Sequence, residues 1–279
     1  MPISKERFKR TIWSYYEKHG RSMPWRTKHT PYYVLVSEIM LQQTQVSRVL
    51  IKFPSFIKKF PDWKSLARAS TKEILQEWSG LGYNRRALYL RRIAEEVMKM
   101  NGRFPKTFEE LRKLPGIGPN TAGSILAFAY NIPSPFIETN IRSVYIHFFF
   151  PEIEKSEGKK ACKKISDDQL FPLIEKTLDT ENPREWYYAL MDYGADLKKR
   201  LPNPSRHSAH HIKQKPFKGS NRELRSKILK EIMKKSRTRS SLMAILKAYE
   251  PAAIEKNIDD LCKEGFLGRN GNKYAIMSA

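Results

Sequence analysis

Leu114-Pro115-Gly116-Ile117-Gly118-Pro119-Asn120-Thr121-Ala122-Gly123 is the stretch of this 279-residue chain whose reading decides the fold. It lies between two amphipathic segments and sets Gly116 and Gly118 one residue apart at the start of the second. Glycine lets a backbone turn tightly and come close to a ligand, and a helix N-terminus offers unbonded N–H groups and the positive end of its dipole. Gly116, Gly118, Asn120 and Thr121 are therefore candidate phosphate-binding positions, and backbone carbonyls near Leu114 and Ile117 could hold a monovalent cation. A bare Gly-x-Gly corner also serves any tight helix–helix turn, whereas the full Leu-Pro-Gly-Ile-Gly-x-x-Thr-Ala string points more narrowly to a clamp on a phosphate backbone.

Outward from this hairpin, apolar residues recur at helical spacing, as in Phe8, Ile12, Tyr15 and Tyr16, and again in Leu88, Leu90, Ile93, Ala94 and Val97. Strand-like alternation is nearly absent, so the body reads as all-α, with roughly ten helices by that periodicity. Turns fall at Gly20–Pro24, Asn101–Pro105 and Asn131–Pro135. The segment 200–220 is rich in Pro, Ser, His and Lys and reads as a basic linker or a strapped surface loop. Beyond it, amphipathic stretches at 222–234, 240–248 and 251–264, a turn at 265–271 and a last short strand at 274–277 suit a small winged-helix-like module.

Lys and Arg number 52 against 29 acidic residues, a formal charge of +23, and such an excess repels itself unless an anionic partner is near. Nucleic acid is the first candidate, with a generally basic or ribosome-associated protein as the bland alternative. The two cysteines, Cys162 and Cys262, are far apart and without a zinc-type spacing, which suits a reducing compartment. No apolar run reaches the ~18 residues needed to cross a bilayer, and the charged start (Lys5, Glu6, Arg7) is unlike a signal peptide.

About twenty residues after the hairpin comes Ile137-Glu138-Thr139-Asn140-Ile141-Arg142. The two together resemble the helix-hairpin-helix and Gly/Pro/acid motif of the endonuclease III superfamily. Three further blocks, Pro24-Trp25-Arg26, Ser37-Glu38-Ile39-Met40-Leu41-Gln42-Gln43-Thr44-Gln45-Val46 and Trp78-Ser79-Gly80-Leu81-Gly82-Tyr83, are most similar to the MutY adenine glycosylases of that superfamily, over residues 21 to 198. The resemblance implies an all-α glycosylase fold of two helical subdomains with the active site between them. Residues 1–20 and 134–199 would form one, residues 21–133 the other, with a linker at 200–220 and the winged-helix-like module at 221–279. It also implies a partner, double-stranded DNA with a damaged or mispaired base, and a monomer of the prokaryotic cytoplasm associated with the nucleoid.

Breaking an N-glycosidic bond takes a proton for the leaving base and a negative group beside the sugar. Glu38 lies in an otherwise apolar segment, so partial burial should raise its pKa; standing alone, it could as well be a surface Glu. By resemblance Glu38 is the general acid. Glu138 stands where the family has Asp, one methylene shorter, and is either the stabiliser of the sugar, with Asn140 beside it, or a helix N-terminal charge. The family's base pocket maps to Trp25, Arg26, Asn120 and Tyr188, and its duplex-inserting and opposite-base contacts to Gln42, Gln43, Leu81 and Tyr83. Asn120 replaces the lysine that strand-cleaving relatives use as an amine nucleophile, which implies a monofunctional enzyme.

Three departures bear on substrate. Residues 194–215 contain none of the four cysteines with which the MutY family holds an iron–sulfur cluster, so no cofactor is expected, and His207, His210 and His211 read as part of a basic linker rather than a metal site. The family's oxoguanine-reading domain has no room after Pro216. Asn120 and Tyr188 alter the base pocket, leaving hypoxanthine or a T/G or U/G mismatch as alternatives to adenine. A DNA-damage-binding protein with reduced catalysis is the non-enzymatic alternative.

Overall fold

The computed structural model describes residues 3–154, 164–212 and 216–277, and among them helices dominate. The chain forms two units, each made from discontinuous segments: Met1–Glu38 with Pro105–Lys213, and Ile39–Phe104 with Gln214–Ala279. These boundaries differ from the grouping read from the sequence. Residues 21–38 and the whole hairpin join the N-terminal helix and the 139–200 helices, and the C-terminal module joins 39–104 rather than standing apart.

The first unit is organised around helices Thr139–Phe149 and Pro183–Arg200. Gly194 lets them meet, since a Cβ there would fall 2.5 Å from the carbonyl oxygen of Asn140. Helix Lys5–His19, capped by Ser4, lays Phe8 against Tyr145, Phe149 and Trp186 at ring separations of 5.1, 5.0 and 6.0 Å. Helix Pro119–Tyr130 is buried over most of its length, and Phe128 stacks on Tyr188 at 4.8 Å. This contact, together with the fit of Gly123 against Pro135 and Phe136, explains why the hairpin belongs to this unit.

Of the two readings of 200–220, the strapped loop describes Leu201–Ala209. Pro204, Ser205 and Ser208 are buried. Ile165 donates its amide to His207 O at 2.9 Å, Ala209 returns one to Ile165 O at 2.8 Å, and Ser143 Oγ donates to Asn203 Oδ1 at 3.2 Å. Residues 213–215, Lys213 and Lys215 among them, lie outside the described residues, as does Cys162.

In the second unit, helices Val46–Lys59, Trp63–Arg68, Thr71–Trp78 and Arg85–Lys99 enclose Phe53, Phe56, Trp78, Leu90 and Ile93. Capping boxes Asp62/Ser65 and Ser70/Glu73 start the two short helices. The C-terminal module runs helix Asn221–Lys234, strand Arg237–Thr238, helices Arg239–Ile245 and Pro251–Lys263, then strands Leu267–Asn270 and Lys273–Ile276. The last strand is central, antiparallel to both others, which is the order of a winged helix. The stretch 265–271, read as a turn, thus contains a strand, because Gly268-Arg269-Asn270 pairs through its backbone without an alternating apolar face. Leu75 and Leu88 share one apolar core with Leu224, Ile228, Ile258 and Phe266 of the module.

Candidate active site

Helix Pro31–Leu41 carries Glu38 near its end, one residue before the division between the units. Part of the Glu38 side chain is accessible, but its carboxyl is enclosed, and burial pushes its pKa from 4.5 up to about 7. A hydrogen bond from Ser124 works against that rise, the charge of Glu138 adds to it, and the charge of Arg26 opposes it. Near neutral pH such a carboxyl holds a proton it can give away.

Glu138 is the N-cap of helix Thr139–Phe149. Its Oε1 accepts the amides of Asn140 at 2.7 Å and Ile141 at 3.1 Å, and its Oε2 accepts Asn140 Nδ2 at 3.3 Å. The extra methylene relative to Asp is absorbed by folding the side chain back on its own helix. Glu138 is thus a helix N-terminal charge, and it is near enough to raise the pKa of Glu38. Lys198, one turn beyond Gly194, is half-buried; burial lowers its pKa, Glu138 raises it and Arg21 lowers it further.

The base-pocket candidates of the first unit meet around a buried acid that the sequence did not single out. Arg26, from the 3-10 turn Pro24–Arg26, gives Nη1 and Nη2 to Asp192 Oδ2 and Oδ1 at 2.9 and 2.8 Å. Arg21 adds its amide and Nε to the same carboxylate, both at 2.7 Å. Burial works against the charge of Asp192, yet these bonds and the charge of Arg26 hold its pKa below the ordinary value. The Arg26 guanidinium lies 4.2 Å from the centroid of the Tyr188 ring, whose other face is stacked by Phe128 at an interplanar angle of 7°. Tyr188, 5% exposed, therefore has neither face open to a base; its edge and hydroxyl remain, and burial raises its pKa so that it stays protonated. Trp25 is buried in the same turn.

In the hairpin, Gly116 takes φ +78, a left-handed conformation that favours glycine, and Ile117 donates its amide to Leu114 O at 3.2 Å. Gly118 is the N-cap and Pro119 opens the helix. The amide of Ala122 is bonded back to Gly118 O at 2.9 Å, which closes the first turn of the helix. Asn120 is exposed, and its Oδ1 accepts the amide of Ile137, fastening the hairpin to the residue before Glu138.

In the second unit, Gln43 and Tyr83 both adopt positive φ, 52° and 45°, within two tight turns. Both turns converge on Arg86, 7% exposed and also missed from the sequence. Arg86 Nη1 reaches the carbonyls of Ile39, Met40 and Gln42 at 2.7, 3.1 and 2.5 Å. Its Nη2 reaches Thr44 Oγ1, Leu81 O and Gly82 O at 3.0, 3.2 and 3.0 Å. Burial pushes its pKa down to about 10, which leaves it charged at neutral pH. Leu81, placed among the inserting residues by resemblance, is 3% exposed in the free protein, its apolar side chain turned into the core between two glycines. Tyr83, at 37%, is what the loop exposes, while Gln43 is exposed and Gln42 half-buried in the neighbouring turn. The charge pattern around Arg86, a basic residue on the buried face of helix Arg85–Lys99, is the signal that could have found it.

The site therefore combines a glycine hairpin, a helix capped by Glu138 and a glutamate, Glu38, whose enclosed carboxyl stays protonatable near neutral pH. Residues 36–167 match the family described as HhH-GPD superfamily base excision DNA repair protein. The chain is 39% identical over 190 residues to an adenine DNA glycosylase of Buchnera aphidicola subsp. Baizongia pistaciae (strain Bp), covering 67% of this chain and 52% of that protein. It is 32% identical over 200 residues to the adenine DNA glycosylase of Homo sapiens, covering 68% and 36%. The chain thus spans about half the length of the bacterial relative. A thermostable thymine-DNA glycosylase shares the fold, with a TM-score of 0.61 over 74% of this chain and 92% of that one at 23% identity.

The four cysteines expected of an iron–sulfur cluster have no counterpart between Gly194 and Ile212, where Ser, Asn and backbone groups hold the strap. These residues do not fit a cluster. Among the described residues no three His, Cys, Asp or Glu side chains gather to bind a metal, and His210 lies 4.0 Å from Asp167. No helix among them is long and apolar enough to cross a membrane.

Proposed function

We propose that this protein is a monofunctional DNA glycosylase of base excision repair that removes adenine mispaired with 8-oxoguanine or guanine from duplex DNA. The observation that carries the reading is Glu38, a carboxyl with a pKa near 7 beside Glu138. Protonated Glu38 donates to the purine as the N-glycosidic bond breaks and its electron pair leaves with the base. The carboxylate of Glu138 faces the positive charge that develops on the sugar, with Asn140 orienting it. Ionised Glu38 then takes a proton from the water that adds to the sugar carbon, restoring the acid and leaving an abasic site. Each step is carried by this chain's own side chains, without a cofactor. The hairpin amides and a basic surface hold the phosphates, and the protein acts as a monomer on nucleoid DNA in the cytoplasm.

The test is excision from duplexes carrying A:8-oxoguanine, A:G, hypoxanthine:T, T:G and U:G, read with and without alkali, for the unsubstituted protein and Glu38→Gln. Adenine release that needs alkali for strand breakage and vanishes in Glu38→Gln, with DNA affinity kept within a few-fold, is the expected result. Preference for hypoxanthine:T would move the substrate assignment; strand breaks without alkali would overturn the monofunctional one.

A further inference from the structure

The basic run of the C-terminal module first suggests a phosphate-binding surface, but its side chains are largely engaged inside the second unit. Lys227 pairs with Glu223, Lys234 and Arg237 with Glu231, and Arg239 with Asp259. Arg225 Nη2 meets Glu264 Oε2 at 2.6 Å, and Glu264 Oε1 receives Arg85 Nη2 at 2.5 Å, at the first residue of the helix that follows the Tyr83 turn. Arg222 Nη1 donates to the hydroxyl of Tyr83 at 2.8 Å, and its guanidinium carbon sits 5.3 Å from the Tyr83 ring centroid. Arg86 lies 5.6 Å from the same centroid. The helix start that carries Arg222 is itself fixed, because the buried Asn257 donates Nδ2 to Asn221 Oδ1 at 2.7 Å.

Tyr83 is a non-glycine residue at positive φ, half-exposed, and held by two guanidinium groups, one from its own helical segment and one from the module. Left-handed backbone at a bulky residue persists only where its surroundings enforce it. We infer that the C-terminal module is a brace for the Tyr83 loop, with Arg222 as a positioning residue that fixes the orientation in which the ring enters a duplex as a base is extruded. The inference rests on the proposed glycosylase reading for what Tyr83 meets; the brace itself is a property of the free protein.

Two measurements on the full chain test it. In the free protein, hydrogen exchange of amides 80–86 should quicken several-fold in Arg222→Ala with the melting temperature unchanged; unaltered exchange overturns the brace. In a Glu38→Gln background, which leaves the DNA uncut, 2-aminopurine beside an A:8-oxoguanine pair reports unstacking at saturating protein. Arg222→Ala should lower that fluorescence gain several-fold while affinity stays within about threefold, and should add nothing in a Tyr83→Ala background. Arg222→Lys keeps the charge but not the planar stacking and should behave like Arg222→Ala. Rescue by Lys, or equal effects with and without Tyr83, assigns Arg222 to a phosphate contact and overturns the brace. Duplex binding without any fluorescence gain in the Glu38→Gln protein refutes the base-flipping reading instead, and hydrogen exchange then decides the brace alone.

Discussion

Replacing Glu38 by Gln should make the protein more stable, and increasingly so as pH rises. The unfolded carboxyl ionises at its ordinary 4.5, whereas in the folded protein it holds its proton to about 7. Between those values the native state binds more protons than the unfolded chain, so the Glu38 contribution is fully present below pH 4.5 and is lost as pH climbs through 7. At about 1.4 kcal/mol per pH unit the full displacement corresponds to about 3 kcal/mol, of which about 2.5 kcal/mol falls between pH 5 and 8.5. Urea denaturation of the two proteins across that range should show their stability difference widening by about 2 to 3 kcal/mol in favour of Gln, large against a typical total of about 5–15 kcal/mol. In parallel, excision by the unsubstituted protein should fall about tenfold from pH 6 to pH 8 as the acid deprotonates. Two stability curves that stay parallel within about 0.5 kcal/mol would refute the enclosed, protonated carboxyl.

Glu138→Asp should retain excision and Glu138→Ala should lose most of it while also costing about 1 kcal/mol of stability through the lost cap; equal activity in all three forms would make Glu138 purely structural. Arg86→Met strips the donor from six backbone carbonyls in and beside the Gln43 and Tyr83 turns, so a loss of about 3 kcal/mol or more is expected in thermal melts; an unchanged melting temperature would mean the turns hold themselves. Gly194→Ala forces a methyl group to within 2.5 Å of Asn140 O and should destabilise the protein and displace the Glu138–Asn140 cap, lowering excision well below the unsubstituted rate.

The legible parts of this protein were those written in consecutive residues. Leu114–Gly123 states a hairpin because each glycine and proline has a local backbone task, and Glu38 stands out because its neighbours along one helix are apolar. Asp192 could not be read in that way, since its partners Arg21 and Arg26 lie 171 and 166 residues away. The burial of Leu81 in the free protein was not legible either, because its flanking glycines state a tight turn without stating which way the side chain faces. The ion pairs of Arg225, Arg237 and Arg239 with Glu264, Glu231 and Asp259 were equally illegible, since charge density in sequence does not say which acids fold against which cations. The grouping of the hairpin with the 139–200 helices depended on contacts such as Phe128 on Tyr188.

The interleaving of the two units sets the order in which a ribosome can deliver a stable product. Phe8 of the first helix waits for Trp186, and Leu75 and Leu88 wait for Leu224 through Phe266, so each half-made unit carries exposed apolar surface until late in synthesis. A chain halted near residue 200 has the parts of the first unit up to its strap but leaves residues 39–104 without the partner that covers them. Such fragments are natural targets for chaperones and proteases, which favours all-or-nothing accumulation of the finished protein.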